Sequence, residues 1–363
     1  MPHRAIATLQ QIVRPHVGLG KSRLETLCLI VVGMIGARTV NLSHVACERS
    51  STALVASTYR RLQRFFQHAR LASDWSAPLV IALLGLAGPW RLVLDRTQWK
   101  LGTRDVNILM LAVVTRRARV PLMWSILDNN GGTSDTGERI LLMRRYLAVF
   151  GAASVGMLLA DREFVGVEWM NFLNENKIPF AIRMKEKLIV ATEDGRRLAL
   201  GSALRKCRGI RTFRAALAGD GVCGPLWLNF AARRLGGGEL LIVATNTPAR
   251  AALAAYRKRW AIECLFGDAK SRGLNLEDTR LVTPRKLALL LGLVALAMAW
   301  AACTADRLVG RKTPARKAHG YLAKSWFRIG FDQVRKLLRH DPTAAVTPWL
   351  NLAPHSITRE RVV

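Results

Sequence analysis

The chain has 363 residues, with 55 lysine and arginine side chains against 25 aspartate and glutamate side chains, which gives a formal net charge of +30 at pH 7. This excess disfavours a compact fold by self-repulsion unless an acidic partner is bound, and phosphate backbones are the usual partner. The six cysteines form no C-x-x-C pair and the seven histidines have no metal-ligand spacing, which argues against a disulfide scaffold or a zinc site. We expect a cytoplasmic protein with reduced thiols and no secretory signal, because basic residues interrupt the approach to the first apolar run.

Residues 1–75 are predicted to form a helical domain that binds DNA. Three segments have helical character, and the third is rich in arginine: residues 24–35, 42–47 and 53–67. Short helices of which the last carries Arg60, Arg61 and Arg64 are similar to a helix-turn-helix binder, so these arginines are candidate DNA contacts. Small helical domains with basic faces are common, and no motif in this segment decides between the two interpretations.

Residues 76–184 and 240–310 together are predicted to form an α/β core with helices on a mixed sheet. The expected elements are a strand, a hairpin, a helix and a strand, at residues 92–94, 108–115 with 120–127, 138–150 and 155–160. Asp95 follows the first strand and Asp161 follows the last, which is the order of an RNase H-like core. Each aspartate alone is equally well a turn residue or a helix cap.

Residues 185–239 change to short β-like pieces broken by glycines, and we predict a β-rich insertion within the core. A helix at 164–175 and a strand at 179–184 are expected before it, and a strand at 240–245 returns to the core. The connection is too long for a simple loop, so the insertion should have β structure of its own. Residues 311–363 are a basic C-terminal region.

The segment YRKRWAIECLFGDAK, residues 256–270, carries the most specific signal. At about 100° of turn per residue, Tyr256, Arg259, Glu263 and Lys270 fall on one face of one predicted helix. A carboxylate flanked by two cations and an aromatic ring suits a metal ion beside a phosphodiester. The alternative is an ordinary amphipathic helix whose charged face is solvated.

The spacing Y-x2-R-x3-E-x6-K, with LVLDRTQWK around Asp95 and LLADREF around Asp161, resembles the DDE transposases of bacterial insertion sequences. The resemblance covers about residues 90 to 280 and includes the β-rich insertion. It implies that Asp95, Asp161 and Glu263 are catalytic metal ligands for two Mg²⁺ ions, which Mn²⁺ replaces, and that Arg259 and Lys270 contact DNA phosphates.

The same resemblance implies an activity and partners. Tyr256 would contact the cleaved DNA end, and the N-terminal helices would bind it. A homodimer on paired terminal inverted repeats would hydrolyse the phosphodiester bond at the element ends and transfer the 3′-OH to target DNA, in association with a bacterial nucleoid. By position, Trp227 is a candidate for stacking on a flipped base, and the alternative is a core tryptophan of the insertion.

Two other interpretations remain open. A catalytically inactive relative would keep only end binding, although all three acids are present. Residues 287–305 form a run of 19 residues without charge, which is long enough to cross a bilayer. The same run suits a helix buried in a large domain, because such a helix is apolar on every side.

Overall fold

One mixed sheet of ten strands organises the chain. The computed structural model describes residues 2–49, 52–101, 104–128, 132–218, 224–310, 312, 314–318 and 322–352. The strands are β1 (Trp90–Leu101), β2 (Arg104–Val114), β3 (Arg119–Leu127), β4 (Val155–Ala160), β5 (Phe180–Arg183), β6 (Ile189–Ala191), β7 (Arg197–Ala199), β8 (Ile210–Leu217), β9 (Leu226–Arg234) and β10 (Leu240–Thr245). Their order across the sheet is β3-β2-β1-β4-β5-β10-β9-β8-β6-β7.

The described residues contain thirteen α-helices, which pack on this sheet or on one another. They are α1 (Pro2–Val13), α2 (Lys21–Ala37), α3 (Leu42–Cys47), α4 (Val55–His68), α5 (Ala77–Leu84), α6 (Thr136–Phe150), α7 (Val167–Glu175), α8 (Leu200–Ala203), α9 (Ala249–Tyr256), α10 (Ala261–Ala269), α11 (Pro284–Val309), α12 (Trp326–His340) and α13 (Pro342–Val346). The predicted class, mixed α/β with helices on a mixed sheet, is confirmed.

Strands β3, β2, β1, β4 and β5, neighbours in that order, form the part of the sheet that carries the candidate site. Strands β1, β2 and β3 are antiparallel neighbours, whereas β1, β4 and β5 run parallel. The prediction that Asp95 follows its strand is wrong, because β1 continues to Leu101 in an antiparallel ladder with β2. Only the parallel ladder with β4 stops there, at the pair Leu94 and Ala160.

The β-rich segment predicted at residues 185–239 extends this same sheet. Strand β10 pairs antiparallel with β5, and β9, β8, β6 and β7 continue outward. The rings of Phe213 and Phe230 stack across β8 and β9, with centroids 5.2 Å apart. The insertion is therefore joined to the core by continuous hydrogen bonding.

The N-terminal helices share a core with the C-terminal ones. Helix α2 packs against α11 and α12, and the backbone N–H of Val40 donates to the carbonyl of Leu274 at 3.0 Å. Nearby, Thr39 Oγ1 donates to Asp278 Oδ2 at 2.9 Å. Helices α2, α3 and α4 occupy the segments predicted to be helical, while α1 and α5 were not predicted. A separate DNA-binding domain over residues 1–75 stays a prediction.

Helix α11 contains the apolar run of residues 287–305. Its length and composition suit a membrane span, but 89% of its most apolar window is buried inside the protein. It packs against α2, α5, α12 and strand β3. This environment explains an all-round apolar sequence, because every face of the helix meets protein.

Candidate active site

Asp95 lies on β1, and Asp161 directly follows the neighbouring parallel strand β4. The strand register pairs Leu94 with Ala160, so the residues that follow them, Asp95 and Asp161, place their carboxylates on the same face of the sheet. One oxygen of each accepts the N–H of the following residue, at 2.8 Å for Asp95 and 2.7 Å for Asp161. Burial raises the pKa of Asp95 to about 6, and the Arg96 N–H and the Arg259 guanidinium only partly oppose this shift.

The prediction of one helix over residues 256–270 is wrong. Helix α9 ends at Tyr256 and α10 begins at Ala261, and Lys270 follows the end of α10. Between the helices the N–H groups of Lys258 and Arg259 donate to carbonyls three residues earlier, both at 2.9 Å. Such bonds tighten the turn and rotate the following side chains away from α-helical spacing.

The signature side chains nevertheless reach the two aspartates. Arg259 Nη1 donates to Asp95 Oδ2 at 3.1 Å, and its Nη2 donates to Glu263 Oε1. The hydroxyl of Tyr256 donates to Asp161 Oδ1 at 3.3 Å. Burial raises the pKa of Tyr256, and the Asp161 carboxylate reinforces the shift, so the hydroxyl keeps its proton. Three carboxylates thus meet around one guanidinium and one phenol.

Lys270 lies at the margin of this group. Its Nζ donates to the Gln98 carbonyl at 3.4 Å and pairs with Glu277 at 3.1 Å. The Arg272 guanidinium lies over Gly267 of α10, where an added Cβ would be 2.8 Å from Arg272 Cζ.

The donor set suits Mg²⁺ chemically, since carboxylate oxygens are the ligands that hard divalent cations take. Among the described residues, however, no group of three or more His, Cys, Asp or Glu side chains is arranged to hold a metal ion. The position of Arg259 explains why the acids are not arranged for a metal ion, because its guanidinium lies between Asp95 and Glu263 and pairs with both. Movement of one side chain, Arg259, would free an oxygen on each of these two acids.

The three arginines predicted on α4 have different environments. Arg61 donates to Thr26 Oγ1 at 2.8 Å, to the Ser22 carbonyl at 3.0 Å and to Glu25 at 3.1 Å. All three guanidinium nitrogens therefore hold α4 on α2. Arg60 and Arg64 are exposed and remain candidates for DNA contact.

Trp227 lies on β9 with 40% of its surface exposed, and the Arg214 guanidinium lies 5.4 Å from its ring centroid. Strand register places Trp227 on the same face of the sheet as Asp161. It is three strands and four residues away, which is roughly 20 Å at ordinary strand spacing. Its role in base stacking stays a prediction.

A cationic cleft beside α10 was not predicted. Its volume is about 200 Å³, and it lies between the β2–β3 turn, the turn that precedes α10, and the start of α12. Trp260 is 62% exposed there, and Arg116, Arg257 and Lys258 are exposed around it. An exposed tryptophan among cations is typical of a nucleic-acid surface. The available signal in the sequence was Arg257 and Lys258 shortly before Trp260.

An ion pair behind the carboxylates was also missed. Arg96 follows Asp95 and faces the opposite side of the sheet, where its guanidinium contacts both oxygens of Glu163 and the side-chain oxygen of Asn107. Arg139 on α6 donates to the Glu163 carbonyl at 3.3 Å. The ion pair thus connects β1, which carries Asp95, to the short 3-10 helix that directly follows Asp161.

Comparison with known proteins supports the class that this site suggests. Residues 87–300 match the family model described as a transposase DDE domain, which is more than half of the chain. The chain belongs to this family of DDE transposases. Comparison with curated proteins gives no match. Among solved structures, the chain is similar to a piggyBac transposase in a synaptic complex with hairpin DNA, at TM-score 0.43 and 10% identity, covering 94% of this chain and 78% of that one.

Proposed function

We propose that the protein is a DNA transposase of the bacterial insertion-sequence type with an RNase H-like catalytic core. It binds terminal inverted repeats, cleaves the phosphodiester bond at the element ends and transfers the 3′-OH to target DNA as a homodimer. The observation that carries the proposal is the meeting of Asp95, Asp161 and Glu263 around Arg259 and Tyr256. The strand order β3-β2-β1-β4-β5 supports the proposed core.

We assign the acidic side chains to metal binding and the Arg259 and Tyr256 side chains to DNA contacts. Asp95, Asp161 and Glu263 would hold Mg²⁺, which when bound activates water and stabilises the leaving oxygen. In the absence of ligands Arg259 pairs with two of these acids, Asp95 and Glu263. Its guanidinium is suited to a phosphate oxygen once metal ions hold those acids. Tyr256 keeps its proton and donates it in a hydrogen bond to Asp161 or to the DNA backbone.

The experiment uses the inverted repeats in the DNA that flanks the reading frame. Asp95→Asn, Asp161→Asn and Glu263→Gln keep the side-chain shape, and each should lower cleavage of repeat-end DNA by about a hundredfold or more while binding persists. Glu168→Gln, at an exposed position of α7, is the matched control.

Cleavage near the wild-type rate by any of the three variants would remove that residue from the site. A wild-type protein that binds the repeats and does not cut them in Mg²⁺ or Mn²⁺ would instead favour the inactive end-binding relative.

A further inference from the structure

A second cationic cleft lies between the N-terminal helices and the core. We call it the α4 cleft, and its volume is about 420 Å³. Helix α4 forms one wall, where Tyr59 is half-buried and Arg64 is exposed. The other wall consists of Arg280, in the segment between α10 and α11, and Lys286, in the first turn of α11. Residues distant in sequence thus place three cations and an aromatic ring around one space of nucleotide size.

The charge of the α4 cleft is not neutralised by its surroundings. None of the described residues that line it is acidic. Asp278 lies behind the lining residue Asn41, from which it accepts a hydrogen bond, and Glu277 pairs with Lys270. The three cations that line the cleft thus outnumber the one carboxylate behind it. The cleft therefore keeps a positive potential that attracts anions.

The two walls of the α4 cleft are held in a fixed relation. Arg285, next to Lys286, donates to the carbonyls of Phe66, Gln67 and Ala69 at 2.8, 3.0 and 3.1 Å. These carbonyls are at the C-terminal end of α4, where a cation is favoured. A cleft whose walls are already locked loses little entropy when it binds a ligand.

We infer that the α4 cleft binds the sugar-phosphate backbone of the substrate DNA, with Arg64 on one side and Arg280 and Lys286 on the other. This inference rests on the proposed function. Arg280 is ten residues after Lys270, so the chain between them spans at most about 36 Å. This limit is close to one turn of duplex DNA, about 34 Å, so the active site and the cleft are near enough for one duplex to contact both.

The test compares two double variants that lose the same charge. Arg280→Ala/Lys286→Ala removes one wall of cations, and Lys336→Ala/Arg339→Ala removes two exposed cations of α12. Binding of a duplex of about 40 base pairs, roughly four helical turns, is measured at several salt concentrations without divalent metal. The cleft variant should lower the slope of log K against log[salt] by about two, and the control should leave it unchanged.

Three outcomes would overturn the inference. The first is an unchanged slope in the cleft variant while the wild type binds and cleaves DNA. The second is an equal decrease of the salt slope in both variants, which would indicate that only the total positive charge of the protein matters. The third is tight binding of a free mononucleotide that Arg280→Ala/Lys286→Ala abolishes without affecting duplex binding. Failure of the wild type to bind the duplex at all would contradict the proposed function instead.

Discussion

Arg96 and Glu163 form a two-point ion pair, with Arg96 Nε 2.8 Å from Glu163 Oε1 and Arg96 Nη2 3.3 Å from Oε2. Each residue is within two positions of a candidate catalytic aspartate, and both side chains are about four-fifths buried. The pair therefore fixes the spacing between Asp95 and Asp161 from the opposite face of the sheet. Paired, partly buried guanidinium and carboxylate groups hold their geometry better than exposed pairs do.

The first prediction is that Glu163→Gln and Arg96→Ala act through the aspartates. Each should lower the turnover of DNA cleavage about ten- to a hundredfold and raise the Mg²⁺ concentration needed for half-maximal activity, with DNA affinity unchanged. The double variant should be no worse than the worse single variant, because both remove one contact. Additive losses of turnover, or losses of turnover without a change in Mg²⁺ dependence, would contradict this prediction and indicate that the pair only stabilises the fold.

The second prediction separates two properties of Arg259. Because its guanidinium links Asp95 to Glu263, Arg259→Gln should tighten Mn²⁺ binding to the DNA-free protein. The same variant should weaken DNA binding, because a phosphate contact is lost. Titration of Mn²⁺ and of DNA measures the two effects. Arg257→Ala, at an exposed neighbouring position, should weaken DNA binding alone, and metal affinity that falls in Arg259→Gln would contradict the proposed link.

The residues of the site were more predictable than the backbone that carries them. Tyr256, Arg259 and Glu263 lie with the two aspartates, as the family resemblance implied, but a tight turn between two helices carries them instead of one helical face. Periodicity assumes a regular α-helix, and the contact of Arg259 with Asp95 on a distant strand lies outside its reach. Local sequence likewise gave no sign that Arg61 would find Glu25 and Ser22 on α2. In both cases the contacts are made between residues far apart in sequence, which a local pattern does not predict.

The third prediction follows from the raised pKa of Asp95. In the metal-free protein the folded state binds this proton with a pKa of about 6, against an ordinary value of 3.8. Its contribution to stability is therefore greatest below about pH 4 and is lost as the pH rises to about 6. Relative to wild type, Asp95→Asn should gain roughly 2.5 kcal/mol of unfolding free energy between pH 4 and pH 7. Urea unfolding at both pH values measures this difference, and a gap that does not change with pH would place the pKa near its ordinary value.

The fourth prediction compares the two exposed tryptophans. Trp260 adjoins Arg259, whereas Trp227 is roughly 20 Å from Asp161 by strand spacing. A 2-aminopurine at the terminal nucleotide should be quenched by the wild type in a cleaved-end complex. We expect Trp260→Ala to relieve that quenching and Trp260→Phe to restore part of it, because a stacked ring is worth about 1–3 kcal/mol per base. Relief by Trp227→Ala alone would favour the stacking role predicted for the insertion.

The last prediction concerns the packing of α11, on which the choice between a core helix and a membrane span depends. At Gly330 of α12 an added Cβ would lie 1.7 Å from the carbonyl oxygen of Ala301 and 3.0 Å from Cβ of Ala305, both on α11. Gly330→Ala should therefore lower the free energy of unfolding by about 3 kcal/mol, although alanine is the better helix former. Gly18→Ala is the matched control, since nothing lies within 4 Å of its added Cβ, and it should be neutral or slightly stabilising. Thermal unfolding of detergent-free protein measures both variants. Equal midpoints would mean that α11 and α12 do not pack in solution as the structure has them, and the membrane interpretation of α11 would regain support.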